Sequence, residues 1–84
     1  MPELTALRNI GKELEKKLQS VDITTAEELK RIGSQEAFLR LKLRYPQVCL
    51  VHLYALEGAI LDTEYNQLQE DVKQKLKQFS ERLK

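Results

Sequence analysis

Between Val48 and Leu61 the chain reads VCLVHLYALEGAIL, and Glu57 is the only charged residue in that stretch. Cys49, His52 and Tyr54 are its other ionisable groups. At about 100° per residue on a helix, the apolar side chains point in every direction. Val48, Leu56 and Ala59 fall on one side, and Leu50, Tyr54 and Leu61 on the other. A helix that is apolar all round is a buried one. Pro46 suits the first turn, where its missing N–H costs nothing. The stretch therefore predicts a central helix over 48–61, with Leu53, Leu56 and Ile60 fully buried and shorter helices packed around it.

What surrounds that helix is limited by size. Eighty-four residues make one domain, 1–84, with one modest core. Net charge is +1, which excludes a strongly cationic nucleic-acid binder and an acidic tail. Residues 1–44 carry nine Lys/Arg against seven Asp/Glu, and residues 45–84 carry five against six. A single cysteine excludes an intrachain disulfide. No charged segment followed by an apolar run marks a signal peptide. Val48–Leu61 is too short to span a bilayer and contains Glu57 and His52. The expectation is a cytoplasmic protein with no membrane contact.

Along the chain, Pro2 to Leu7 reads as an opening segment of one or two helical turns. Leu7, Ile10, Leu14, Leu18 and Val21 then recur at spacings of three and four, one face of a helix running from about Gly11 to Ser20. Gly11 suggests a tight turn at its entry. Thr25-Ala26-Glu27-Glu28 is a capping box. Ala26, Leu29 and Ile32 form the buried stripe of the short helix it starts, and Gly33 suits a left-handed C-terminal position. Ser34 reads as the cap of a third helix, Gln35 to about Arg44, with Ala37, Phe38, Leu39 and Leu41 inward and Arg40 and Arg44 exposed. The pre-proline Tyr45 marks its end. Asp62 to Gln67 is a polar link. A last helix starts near Gln69, with Val72, Leu76, Phe79 and Leu83 on a narrow inward stripe. The fold class is all-α, a bundle of about five helices.

Few residues here can carry chemistry. Cys49 and His52 are three apart, but a metal site needs three or four ligands and the chain has no other Cys or His. Cys49 is expected to be a buried free thiol packing as a small hydrophobe. His52 is expected at a partly exposed edge or hydrogen-bonded within the fold. A Cys–His catalytic pair would need an orienting group, and Glu57 projects about 140° away around the helix. Glu57, set among apolar neighbours, is expected to anchor on backbone N–H groups or an arginine. Gly58, with Ala55 and Ala59, suits close approach of another helix. No phosphate loop, paired carboxylates or metal cluster is present. No enzyme and no cofactor are expected.

The stretch most informative about function is Leu7-Arg8-Asn9-Ile10-Gly11-Lys12, followed by Leu14 and Leu18. It resembles a helix-hairpin-helix element, in which a glycine-containing turn lets backbone N–H groups approach a phosphate beside a helix N-terminus. The candidate DNA-binding residues are Arg8, Asn9, Ile10, Gly11, Lys12 and Lys16. Arg8, Lys12 and Lys16 are four apart and would line one side. Asn9 stands where the usual hairpin has its first glycine, and Asn tolerates positive φ. Glu13 and Glu15 dilute the positive field. A solvated lysine face explains Lys12, Lys16 and Lys17 equally.

The segments LRNIGKELEKKL, ITTAEELKRIG and LYALEGAI, in that order and spacing, make the whole chain similar to the C-terminal domain of the TfoX/Sxy family, over about residues 4–80. That family is named for regulators of bacterial competence. The resemblance implies an all-helical domain whose N-terminal half is helix-hairpin-helix-like (SAM-like), with a regulatory or DNA-associated role in transcription and competence. Two departures stand out. Tyr65 and Gln69 occupy places where members often have Trp and Pro. The competence regulators also carry an additional N-terminal domain, so this chain reads as a stand-alone C-terminal domain.

Two functions follow. The first, favoured by the family resemblance, is a nucleic-acid-binding module acting through Arg8–Lys12, weak and independent of sequence. The other is a protein-interaction module on the same fold. Fold alone does not decide between them.

Overall fold

The computed structural model of the protein describes residues 4–83. A 3-10 turn, Leu4–Ala6, precedes five helices: α1 (Lys12–Ser20), α2 (Ala26–Ile32), α3 (Ser34–Arg44), α4 (Leu50–Leu61) and α5 (Glu70–Arg82). A second 3-10 turn, Tyr65–Gln67, lies between α4 and α5. The chain is an all-α bundle.

The central helix is α4, packed against α3, α5 and the 65–67 turn. It is shorter than its sequence suggests. Pro46 does not enter its first turn. The chain turns at 45–48 instead, with the Val48 N–H donating to the Tyr45 carbonyl. Lys42 Nζ holds that turn by donating to the carbonyls of Pro46 (2.9 Å) and Val48 (2.8 Å). Cys49 becomes the N-cap of α4. Nor is α4 buried all round. Leu53 and Leu56 are fully buried, but Ile60 is only partly so, and Val51 and Leu61 are each 53% exposed. Four other helices cannot enclose every side of a fifth in a chain this small.

The remaining helices bury one stripe each. From α1 come Leu14 and Leu18, from α3 Ala37, Phe38 and Leu41, and from α5 Leu76. Ile10, Ile23 and Val48 fill the core from the connections. Leu39 and Ile32, expected inward, are only partly buried.

Three of the connections use a non-glycine residue at positive φ: Asn9 (70°), Asp22 (67°) and Asp62 (57°). Short side chains with local hydrogen-bonding capacity make that conformation tolerable. Asp22 and Asp62 close α1 and α4. At each, an N–H one residue further on reaches back a full turn: Ile23 N–H to the Leu18 carbonyl and Thr63 N–H to the Gly58 carbonyl. Those are Schellman closures. Gly33 joins α2 to α3 at φ 91°, ψ 157°, a region reached essentially by glycine alone. Gly33 is also the N-cap of α3. Ser34, read from sequence as that cap, is instead the first helical residue.

One arm of the capping box of α2 forms. Thr25 Oγ1 accepts the Glu28 N–H at 3.1 Å. The return arm goes one residue further back, to the Thr24 hydroxyl at 2.6 Å. That hydroxyl holds the Glu28 carboxyl below its ordinary value. Thr25→Ala is expected to lower stability by about 1 kcal/mol, the usual cost of losing such a cap, measured by urea unfolding. No change in midpoint would show that the α2 cap is unimportant.

Candidate functional site

The hairpin before α1 places its residues very differently from one another. Ile10 is buried in the core. Asn9 takes the left-handed turn and turns its amide inward. Its Nδ2 donates to the Thr63 carbonyl at 3.0 Å and reaches the Ala55 carbonyl at 3.5 Å, while its Oδ1 accepts the Tyr65 N–H at 3.3 Å. Arg8 is committed as well. Its Nε donates to Asp62 at 3.1 Å and its Nη1 to Glu64 at 3.0 Å. These carboxylates, Asp62 first, raise the guanidinium above its ordinary value. The hairpin is thus tied to the link that follows α4, across 54 to 56 residues of sequence.

Gly11, Lys12 and Lys16 remain on the outside, all exposed. Gly11 is the N-cap of α1, with extended backbone (φ −92°, ψ −178°) and no side chain capping the helix. The left-handed residue of the hairpin is therefore Asn9 and not the glycine. Nothing lies within 4 Å of where a Cβ on Gly11 would sit. Arg8 does not continue the Lys12–Lys16 row of α1, because it turns toward Asp62 and Glu64. Four cations, Arg8, Lys12, Lys16 and Lys17, meet four carboxylates, Glu13, Glu15, Asp62 and Glu64, on or beside the hairpin. The two signs balance there.

Beside the hairpin runs a groove of about 380 Å³ between α1 and the start of α4, lined by Leu14, Val51, Ala55 and Tyr65 with Asn9 and His52 at its edges. A larger groove, about 540 Å³, lies between the start of α3 and α5. Val72, Leu76 and Phe79 form one wall and Leu39 the other. Glu57 borders it, half-buried, and accepts the Ser34 hydroxyl at 2.6 Å. The expected backbone cluster or arginine is replaced by that one hydroxyl, because Ser34 opens α3 facing α4.

Cys49 is exposed, against the expectation of burial. The 45–48 turn moves it off the body of the helix to its N-cap. Its N–H donates to His52 Nδ1 at 3.1 Å, and its Sγ lies 3.6 Å from the same nitrogen. His52 is therefore hydrogen-bonded at a partly exposed edge, as its position suggested. Native protein is expected to react with a small thiol reagent at the rate of an accessible cysteine. Protection until unfolding would contradict this placement.

Among the described residues no group of three or more His, Cys, Asp and Glu side chains is arranged to hold a metal ion. No helix among them is long and apolar enough to cross a membrane.

The features that sequence reading missed are long-range. Asp62 and Glu64 looked like ordinary polar linker residues, although Asp62 just past an apolar helix was a signal for a left-handed closure. What Gly58 faces is the hairpin and the link after α4, not another α-helix. It makes room for Asn9 and the 63–65 backbone: a Cβ there would lie 2.5 Å from Asn9 Nδ2 and 2.7 Å from the Thr63 carbonyl oxygen.

Two solved structures from Listeria monocytogenes match this architecture. One, described as an uncharacterized protein in triclinic form, is 46% identical with a TM-score of 0.95, over 96% of this chain and 92% of that one. The other, described as a protein of unknown function in tetragonal form, is 46% identical with a TM-score of 0.94, over 96% of this chain and 99% of that one. No curated protein matches the chain. The model of the TfoX C-terminal domain matches residues 1–80, essentially the whole length. On that match, and with the all-helical bundle seen here, the chain belongs to the TfoX C-terminal domain family.

Proposed function

We propose that this domain is a non-enzymatic module that docks another polypeptide and makes no direct contact with DNA. The observation that supports the reading is the Arg8 pair with Asp62 and Glu64. It removes from the hairpin the cation nearest the turn. With Asn9 bonded inward and a net charge of +1, little is left to neutralise a run of phosphates, which is what holds proteins to DNA. The open surface is instead grooved and partly apolar, with Leu43, Val51, Leu61 and Tyr65 exposed. Grooves of that kind suit a protein partner.

Two experiments test this. Titration of duplex DNA at ~50 mM salt, where electrostatic binding is strong, is expected to give no saturable signal. A photo-crosslinking residue placed at Leu43 or Val51 in intact cells is expected to give discrete polypeptide adducts. Adducts removed by nuclease, or no adducts from either position, would overturn the reading.

One observation favours a second reading, DNA binding at the hairpin. No side chain caps the N-terminus of α1, the space beside Gly11 is open, and Lys12 and Lys16 on the same helix are exposed. With Arg8 already paired, such binding would involve few phosphates, and log K would fall with log salt by a slope of only ~2. If the parent binds DNA and the Lys12→Glu/Lys16→Glu double variant does not, this second reading replaces the first.

A further inference from the structure

We infer that the partner is an acidic amphipathic segment, seated along α3 and the groove between α3 and α5. The inference rests on the protein-docking reading and names the surface and the chemistry of its occupant. It begins with Leu43, which is 80% exposed, the most exposed large hydrophobic among the described residues. On α3, Leu39 lies four residues before Leu43, so the two share a face. Leu39 also forms part of the wall of the α3–α5 groove, opposite Val72, Leu76 and Phe79. A short apolar track, Leu43 then Leu39, therefore leads from the end of α3 to the groove.

The charges beside that track are mostly positive once its one ion pair is set aside. Glu36 is paired with Arg40 at 3.1 Å. Glu57 faces the groove and accepts the Ser34 hydroxyl, a neutral group that is no counter-charge. Against it stand Lys75 and Arg82 along α5 and Arg44 at the end of α3, its guanidinium 5.9 Å from the Tyr45 ring. Lys75, Phe79 and Arg82 border an extension of the groove with Gln35 and Gln78, and no carboxylate lines that extension. None of Arg44, Lys75 and Arg82 has an ion-pair partner among the described residues. The complement is a segment that offers a row of Leu, Ile or Phe side chains flanked by Asp and Glu. A helix in a groove is the common form of such recognition, read as anchors at i, i+3, i+4 and i+7. An excess of one sign of charge around an apolar track sets which partners are accepted and how fast they arrive. A basic segment would meet three unneutralised cations. On a second copy of this near-neutral chain, the exposed apolar residues beside carboxylates are Leu61 and Tyr65, next to Asp62 and Glu64, and those two carboxylates are already paired with Arg8.

The probe is a labelled peptide of about 18 residues, ~27 Å long as a helix, against a molecule whose longest dimension is 32 Å. It carries leucines at helical spacing and glutamates elsewhere. A matched peptide has lysine in place of every glutamate. Binding is followed by fluorescence anisotropy with the whole chain. The acidic peptide is expected to bind at least about tenfold more tightly than the basic one, and more weakly as salt is raised. Leu43→Asp and the double variant Lys75→Glu/Arg82→Glu are each expected to lose at least about tenfold. All three positions are on the surface, and circular dichroism checks that the variants fold. Val51→Asp, in the separate groove by the hairpin, is expected to bind as the parent does. Equal binding of the two peptides, no binding of either, or a loss in Val51→Asp without one in Leu43→Asp would overturn the inference. So would a parent that self-associates in sedimentation and becomes monomeric on Leu43→Asp, because the occupant would then be a second copy. If the peptide fails while cross-links persist at Val51, this surface is wrong and protein docking stands. If cross-links are absent from both positions, the docking reading itself falls.

Discussion

Leu53→Ala or Leu56→Ala is expected to lower the stability of the domain by about 2–5 kcal/mol, the range for emptying a filled core position. Both side chains are fully buried on α4 within the single hydrophobic cluster. At ~0.05–0.15 kcal/mol per residue, a domain of this length has roughly 4–13 kcal/mol in total. Either substitution therefore removes a large share of it, and the weaker end of that range leaves the variant partly unfolded at room temperature. Val51→Ala supplies the contrast. It lies on the same helix but is 53% exposed, and surface changes of that kind stay within about 0.5 kcal/mol. Urea unfolding of the three variants checks the pattern. A Leu56→Ala midpoint equal to that of Val51→Ala would show that α4 is not the centre of the core.

Gly58→Ala is expected to destabilise by about 1–3 kcal/mol, although alanine is the better helix former. Propensity alone favours the substitution by ~1 kcal/mol. Against it stands an inserted methyl group 2.7 Å from the Thr63 carbonyl oxygen and 2.5 Å from Asn9 Nδ2. Overpacking a filled site costs about 1–3 kcal/mol and sometimes more. The Asn9 side chain could swing aside, but it would then give up its bonds to Thr63 and Tyr65. Thr63 is backbone and has less freedom to move. The double variant Asn9→Ala/Gly58→Ala is expected to cost less than the sum of the two singles, because the Asn9 clash is counted once. A Gly58→Ala protein as stable as the parent would mean that this close approach does not exist.

These two positions also show which parts of the molecule can be read from sequence. Leu53 and Leu56 are legible because burial on a helix follows from local spacing. The same holds for Leu14, Leu18, Phe38, Leu41 and Leu76, and for the α2 cap at Thr25. Helix ends were less legible. Pro46 suits the first turn of α4 by sequence, because a proline before an apolar run fits a first turn as readily as the turn preceding it. Lys42, which holds the 45–48 turn through two carbonyls, carries no local mark of that task. The misplaced start carried Cys49 with it, from a buried site to an exposed cap. Ser34 reads as a cap because serine often is one, but Gly33, at a positive φ that side chains rarely adopt, occupies that place and frees the Ser34 hydroxyl for Glu57. The candidate site was the least legible part. Arg8 looks like a phosphate-facing cation until Asp62 and Glu64 are brought beside it, and no periodicity connects residues so far apart. The family resemblance anticipated the fold for the same reason that it left the function open: the residues that carry it are mostly core and turn positions.

The ties between the hairpin and residues 62–65 have a consequence for how the protein comes into being on the ribosome. Asn9 sits in a left-handed conformation whose supporting partners, Thr63 and Tyr65, are made 54 and 56 residues later. At synthesis rates of about 5–20 residues per second, roughly 3–11 s pass between them. Throughout that interval α1 can form, but the turn that aims it has nothing to hold it, and Arg8 remains an unneutralised cation. The feature that marks the start of the domain is thus among the last to be set. A nascent chain halted before Tyr65 would display a basic, unfixed hairpin that the finished protein does not possess.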